Sequence, residues 1–274
     1  MHNSSRQGIA IGFFDGVHLG HQRILSNARV AITFRNHPLA ILAPERAPRL
    51  IMSFEEREAT IRSCGVDDVV ALDFTEDFAA MEPEDFAAKF LTDRTIYCGA
   101  NWRFGKANRG NPALLDSLGY QTKVTPFAVF RGERISSSRI RAAVENAQIE
   151  DANAMLGRRW RVFGRTVAGK GVGRAIGFPT VNLILDDLRL NLPRGVYVVE
   201  ANGCRAIANW GVAPTMRENA WPRNILEVHF LGEVCSLQFA VCCVEFLRFV
   251  RPEMQFPDIA ALKNQIAADI ASAL

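Results

Sequence analysis

The chain has 274 residues, 49% apolar and 22% charged, with a formal net charge of +3; that length is comfortable for two hydrophobic cores, and the composition excludes a disordered or collagenous chain. So slight an excess of positive charge is too small to argue for nucleic acid, and none is expected as a partner; it fits an enzyme with anionic substrates. The longest apolar run, Leu237 to Leu247, contains Glu245 and is far short of the ~20 residues a membrane-spanning helix needs, so no membrane partner is expected.

Met1 to Gln7 is short and polar, and the apolar stretch that follows is cut by Asp15, His18 and His21; no signal peptide is expected. The cysteines Cys64, Cys98, Cys204, Cys235, Cys242 and Cys243 form no CxxC pair and no zinc-ligand spacing. They are read as reduced thiols serving as small hydrophobes, which suits a cytoplasmic location.

In the first half, strand-like and helix-like segments alternate. Gly8–Phe13 and Val30–Phe34 read as strands. Ser53–Cys64 reads as a helix capped by Ser53, Asp68–Leu72 as a strand, Pro83–Leu91 as a helix opened by proline, and Thr95–Cys98 as a strand. This alternation predicts a parallel sheet with helices on its faces. Two helical stretches follow, Ser138–Asn146 and Ile149–Leu156. From Trp160 the character changes to short alternating segments (Trp160–Val167, Gly195–Glu200, Arg205–Ala208, Ile225–Phe230, Gln238–Phe246) separated by Gly, Pro and Asn. That pattern predicts an antiparallel barrel or sandwich. A closing helix, Pro257–Leu274, carries Ile259, Leu262, Ile266, Ile270 and Leu274 at near-helical spacing. The domain division is placed at 1–156 and 157–274.

Two strings carry chemistry. In Gly12–His21 a buried strand runs into a helix start bearing His18-Leu-Gly20-His21. Two imidazoles three apart at that end meet the positive pole of the helix and its free N–H groups, a seat for phosphates. Gly20 there would let a ligand approach the backbone closely. In Gly164–Asn182 three alternate glycines, Gly169, Gly171 and Gly173, make a loop whose amides can wrap phosphates; with no Gly-Lys-Ser/Thr it is not a Walker A loop.

The first string resembles the signature of HIGH-type nucleotidyltransferases, specifically the adenylyltransferase module of prokaryotic bifunctional riboflavin kinase/FAD synthetases. Thr33–Pro38 is similar to that family's T-F-x-P-H-P segment, with Asn36 in place of proline. Gly99–Gly105 is similar to G-x-N/D-F-x-F-G, and Ile135–Arg141 to S-S-T-x-x-R with Ser138 for threonine. The resemblance implies that His18 and His21 hold ATP phosphates and stabilise the leaving pyrophosphate. Gly12, Asp15 and Gly20 would belong to the same ATP-binding set, Asn101 would bind adenylate, and Ser137, Ser138 and Arg141 would grip phosphate. The second string, ending Gly177-Phe-Pro-Thr180-Val-Asn182, resembles the riboflavin kinase signature. The likeness continues through Gly195–Tyr197, Asn209–Thr215, Leu226–His229 and Phe246–Glu253. It implies Thr180 and Asn182 as carriers of Mg²⁺ and ATP oxygens, and Glu227 as the base for the riboflavin 5′-hydroxyl.

The implied fold is an N-terminal Rossmann-like nucleotidyltransferase domain and a C-terminal antiparallel β-barrel kinase domain with a terminal helix. The implied activity is ATP-dependent conversion of riboflavin to FMN and of FMN to FAD. The alternatives are a kinase with a weakened adenylyltransferase half, or a flavin- or nucleotide-binding regulator without turnover. Retention of Glu227, Thr180, Asn182 and both histidines argues against the regulator. Several connections are shorter than the family's. About ten residues are lacking between His21 and Val30, a shortfall expected to strip cover from Ile9, Ile11 and Ile32 and so read as an unseen stretch of chain. The family's Asp-Leu-Tyr-Gly stretch is here Ser236–Phe239.

Overall fold

The computed structural model describes residues 8–91, 95–168, 172–185, 189–212, 224–232 and 240–274. Its contacts divide the chain into two compact units, Met1–Ser137 and Ser138–Leu274.

In the first unit, β1 (Gly8–Ile11), α1 (Leu19–Leu25), β2 (Val30–Phe34), α2 (Leu39–Leu42), α3 (Phe54–Ser63) and β3 (Asp68–Leu72) lead to α4 (Glu76–Ala79), α5 (Pro83–Phe90), β4 (Thr95–Gly99), α6 (Pro112–Ser117) and β5 (Thr122–Thr125). The sheet is parallel with order β3-β2-β1-β4-β5. The chain therefore steps outward from β1 to β3, then returns to the other side of β1, and the strand order reverses between β1 and β4. In open α/β sheets that reversal leaves a crevice at the carboxyl ends of the strands, where ligands bind. A short hairpin, β6 (Val129–Phe130) with β7 (Glu133–Arg134), follows the sheet.

Alternation along the strands sends side chains to two cores. Ile9, Ile11, Ile32, Ile96 and Cys98 pack with Phe86 and Ala87 of α5 and Leu115 of α6. Ala10 and Ala31 face the other way, against Ile24 and Leu25 of α1, Ala28 and Ile61 of α3. The short helix behind His21 consequently leaves Ile9, Ile11 and Ile32 covered, because it lies on the opposite face. The expected unseen stretch is also not needed: a tight turn joins α1 to β2, with Ser26 N–H donating to Gln22 O (2.9 Å), Ala28 N–H to Leu25 O (3.0 Å) and Arg29 N–H to Gly8 O (3.0 Å). Two alanines facing α1 let it pack with about two turns of helix.

α7 (Ser137–Glu145) begins with the last residue of the first unit, and in the second unit it and α8 (Ile149–Leu156) precede β8 (Trp160–Val167), α9 (Val172–Ala175), β9 (Val181–Ile184), β10 (Gly195–Ala201), β11 (Cys204–Val212), β12 (Asn224–Phe230), β13 (Val241–Pro252) and α10 (Ile259–Ala273). The strands close a six-stranded antiparallel barrel, β10-β11-β12-β9-β8-β13. The long β13 pairs with both β8 and β10. Asn153 on α8 ties helix to barrel, donating to Phe246 O (2.8 Å) and accepting from Trp160 N–H (2.7 Å).

One sequence expectation is corrected here, that for the cysteines. On α10 the middle of the apolar stripe, Leu262, Ile266 and Ile270, is half-buried and its ends, Ile259 and Leu274, are exposed, while Asp269 and Ala273 are buried beside the stripe. Arg251 of β13 explains this, its Nε donating to Asp269 Oδ1 (3.0 Å) and its Nη2 to Oδ2 (2.6 Å). Such a fork-to-carboxylate pair can be buried where a lone carboxylate could not. Among the described residues Cys204 is disulfide-bonded, against the expectation of reduced thiols throughout, whereas Cys64, Cys98, Cys242 and Cys243 keep their thiols. Burial raises the Cys98 and Cys242 thiols to about 11, which keeps both inert.

Candidate active sites

The first site is built where β1 ends. Phe14, Gly16 and Val17 take positive φ (58°, 77° and 38°), a strained path for a β-branched valine. That path turns Asp15 inward. Asp15 is 2% exposed, its Oδ1 accepts from Ile51 N–H (3.0 Å), and its carbonyl accepts from Ser137 Oγ (2.9 Å). Asp15 and Ser137, both expected in the phosphate-binding set, make bonds that hold the turn in shape.

His18 caps α1 itself: its Nδ1 accepts the His21 N–H at 3.3 Å. This bond places the proton of a neutral His18 on Nε2. The His18 and His21 rings stack face to face, centroids 3.6 Å apart and planes 16° apart, and Phe14 meets His21 edge-on at 5.4 Å. His21 Nδ1 is buried without a hydrogen-bond partner. Burial first, then the neighbouring His18 and Arg57, hold the His21 imidazole well below its usual range. The glycines serve the protein's own rings. A Cβ on Gly20 would lie 3.1 Å from the His18 ring, and one on Gly12 would lie 3.0 Å from Phe14. Asn101 is exposed just past β4, the neighbour of β1 across the reversal, with Oδ1 beside Gly99.

Two residues here have roles that sequence reasoning did not assign. Asn36, where proline was expected, uses its amide as a backbone mimic: Nδ2 donates to Phe74 O and Oδ1 accepts from Phe74 N–H, both at 2.9 Å. Arg57 of α3 is 1% exposed, and no periodicity marks it, because its partners come from other elements. In the second unit, Arg141 Nη1 donates to Ser138 Oγ (3.3 Å) on the first turn of α7.

The barrel site follows from register. Leu183, Leu226 and Trp210 are paired across β9, β12 and β11 and all are buried. The pleat sends the adjacent residues to the other face, and these are Asn182, Glu227 and Asn209, again directly paired. Directly opposed side chains lie about 5 Å apart at Cβ, so three polar groups form one row. Asn182 Oδ1 is buried with no hydrogen-bond partner. The Glu253 carboxylate, at the end of β13, occupies the space over Gly211. Burial, and secondarily the charge of Glu253, raise Glu227 above the ordinary carboxylate range.

The turn leading into β9 is fastened to the same strand. His229 Nδ1 donates to Pro179 O (2.8 Å) and its ring meets Phe178 edge-on at 5.7 Å. Gly173 folds against this turn: an added Cβ would lie 2.4 Å from Phe178 O and 3.1 Å from Thr180 Oγ1. Thr180 itself is exposed. Gly169, Gly171, Ala213–Thr215 and Ser236–Phe239 lie outside the described residues. Asn209 and Glu253, absent from the sequence-derived site, were legible only as members of longer motif segments.

A family model described as FAD synthetase matches residues 1–139, and one described as riboflavin kinase matches residues 156–274. Curated relatives include bifunctional riboflavin kinase/FMN adenylyltransferases of Haemophilus influenzae (32% identity, 100% of this chain and 96% of the relative), of Buchnera aphidicola from Acyrthosiphon pisum (31%, 97% and 92%) and of Bacillus subtilis (31%, 95% and 89%). The Haemophilus alignment runs over 303 positions against 274 residues here, which places the short connections in this chain. A crystal structure described as a macrolide-efflux protein of Streptococcus pneumoniae covers 100% of this chain with 95% of its own, at TM-score 0.87 and 27% identity. Among the described residues no helix is long and apolar enough to cross a membrane.

Proposed function

The chain belongs to the bifunctional riboflavin kinase/FMN adenylyltransferase family, and we propose how its residues divide that work. It phosphorylates riboflavin to FMN and adenylylates FMN to FAD, consuming ATP in both steps. We assign adenylyl transfer to residues 1–156 and the kinase to residues 157–274, a division supported by the two family-model matches.

The kinase assignment is carried by the row Asn182–Glu227–Asn209. Glu227 is the proposed general base: it takes the proton of the riboflavin 5′-hydroxyl while that oxygen attacks the γ-phosphorus and the bond to the β-phosphate oxygen breaks, releasing ADP. A carboxylate raised by burial is a better base than a solvated one. The orphaned Asn182 Oδ1 and the Thr180 hydroxyl are hard oxygen donors that fit Mg²⁺, which keeps several of its waters. Held there, the ion would neutralise charge on the ATP phosphates. Gly173, with Gly169 and Gly171 beyond the described residues, would wrap those phosphates.

In the adenylyl-transfer half, an FMN phosphate oxygen attacks the α-phosphorus of ATP and the α–β bridging bond breaks, releasing pyrophosphate. No covalent intermediate is needed; catalysis is positioning plus charge stabilisation. His18 and His21 are the proposed donors to the leaving pyrophosphate, with Asn101 at the adenylate. Ser138 and Arg141 are proposed phosphate ligands. Gly12, Gly20, Asp15 and Ser137 are proposed to serve them indirectly by shaping the turn. A cytoplasmic location fits ATP as co-substrate.

The test is chromatographic separation of products from riboflavin with Mg-ATP. FAD is the expected product; FMN alone would leave only the kinase, and no product would leave a binding protein.

A further inference from the structure

Among the described residues, Arg57 is the one arginine in the set of largest fully buried side chains, and arginine is almost never buried without a dedicated setting. Its guanidinium carbon lies 4.1 Å from the centroid of the Phe13 ring and 5.4 Å from that of Phe54. Its Nη2 donates to the carbonyls of Phe34 (2.5 Å) and Arg35 (3.2 Å). Phe13 follows β1 and Phe34 ends β2, so one side chain of α3 grips the carboxyl ends of the two neighbouring strands. Those ends carry the turn to His18 and the segment containing His37, whose ring meets Phe13 edge-on at 4.7 Å.

We propose that Arg57 is a positioning residue of the adenylyl-transfer site, fixing the carboxyl ends of β1 and β2 and setting a permanent buried positive charge beside the His18–His21 pair. The inference rests on the histidine pair being that site. A guanidinium cannot shed its proton, and in a dry setting its field reaches further than in water. Two consequences follow for the pair. A second positive charge on the stacked imidazoles is disfavoured, so they meet ATP as neutral donors with defined tautomers. The polyphosphate, for its part, is drawn toward a fixed charge that needs no reorganisation when negative charge shifts to the leaving group. The charged groups that act on His21 are His18 on its own helix and Arg57 from α3.

The experiment compares Arg57→Met, Arg57→Lys and His21→Ala in the full chain. FAD formation from supplied FMN, FMN formation from riboflavin, and the His21 imidazole proton resonance across pH are each followed. Arg57→Met is expected to lower kcat for FAD formation at least tenfold, to spare FMN formation, and to move the His21 titration to higher pH. Arg57→Lys, which keeps charge but loses the fork, is expected to leave the His21 titration near its parent position while recovering only part of kcat. If Arg57→Met does not fold, as shown by loss of FMN formation and of dispersed resonances, Arg57→Lys carries the test: parent kcat there removes the clamp. A folded Arg57→Met with parent FAD formation, or with an unmoved His21 resonance, overturns the inference. Parent FAD formation by His21→Ala would instead overturn the underlying reading of the site.

Discussion

Glu227 stands directly opposite Asn182 across the β12–β9 pair, and neither belongs to the buried barrel core beside them. The strand register therefore sets the proposed base next to the proposed metal ligand without help from any loop. Glu227→Gln should abolish FMN formation, by the 10²–10⁴-fold typical of a lost general base, and leave FAD formation from supplied FMN nearly intact. A parent rate of riboflavin phosphorylation in the mutant would remove Glu227 from the role.

The same carboxylate should show itself in a pH profile. Only ionised Glu227 can accept the hydroxyl proton, so kcat/KM for FMN formation falls as pH drops through its raised pKa. Burial is the larger cause and Glu253 the smaller. Glu253→Gln removes the smaller cause, lowers the Glu227 pKa, and should move the acid limb to lower pH. An acid limb displaced to higher pH in that variant would contradict the arrangement.

Arg141→Ala is expected to stop FAD formation and spare FMN formation, measured on the same preparation. The side chain lies one turn along α7 from Ser138, to which it donates, among the residues of the S-S-x-x-x-R segment. Equal loss of both activities in a folded variant would count against two separable sites.

Asn36→Ala should cost stability as well as FAD formation. It leaves the Phe74 N–H and C=O without the two 2.9 Å bonds they now make, and an abandoned partly buried polar group costs about 1–3 kcal/mol. Thermal unfolding of the variant measures this. An unchanged midpoint would show that water replaces the amide at no penalty.

How far the sequence carried these conclusions differs by element. Asp68–Leu72, Ile149–Leu156 and Trp160–Val167 form with the boundaries their patterns predict, and Ser53 caps α3 through the Glu56 N–H. Thr122–Thr125 was not legible, because an edge strand with Lys123 and Val124 exposed shows no alternation. Val181–Ile184 was hidden inside a motif read for its phosphate chemistry. The turn residues of the first site were legible as types but not as roles. Nothing in the spacing of Asp15 says that its carboxylate points inward to Ile51, and nothing in the string Phe-Glu-Glu-Arg57 says that the arginine is buried along with Glu56. Those facts depend on which strands end beside α3, which is tertiary information.

Gly20 offers a prediction in which stability and activity move in opposite directions. The residue lies in the first turn of α1, where alanine in place of glycine favours the helix by roughly 0.5–1 kcal/mol. Its φ is not among the positive ones, so the backbone accepts a side chain. The cost falls on one neighbour: the new methyl would lie 3.1 Å from Cε1 and 3.2 Å from Nδ1 of His18, a few tenths of an ångström closer than such atoms comfortably sit. The ring must tilt, and with it the 3.6 Å stack on His21 and the cap to the His21 N–H. Gly20→Ala should therefore unfold at the parent temperature or slightly above it while forming FAD more slowly, with kcat falling more than the KM for ATP rises. A variant that gained stability and kept parent kcat would show that the placement of His18 is not held to a few tenths of an ångström. A variant that lost both would show that the cap, rather than the ring position, is what Gly20 protects.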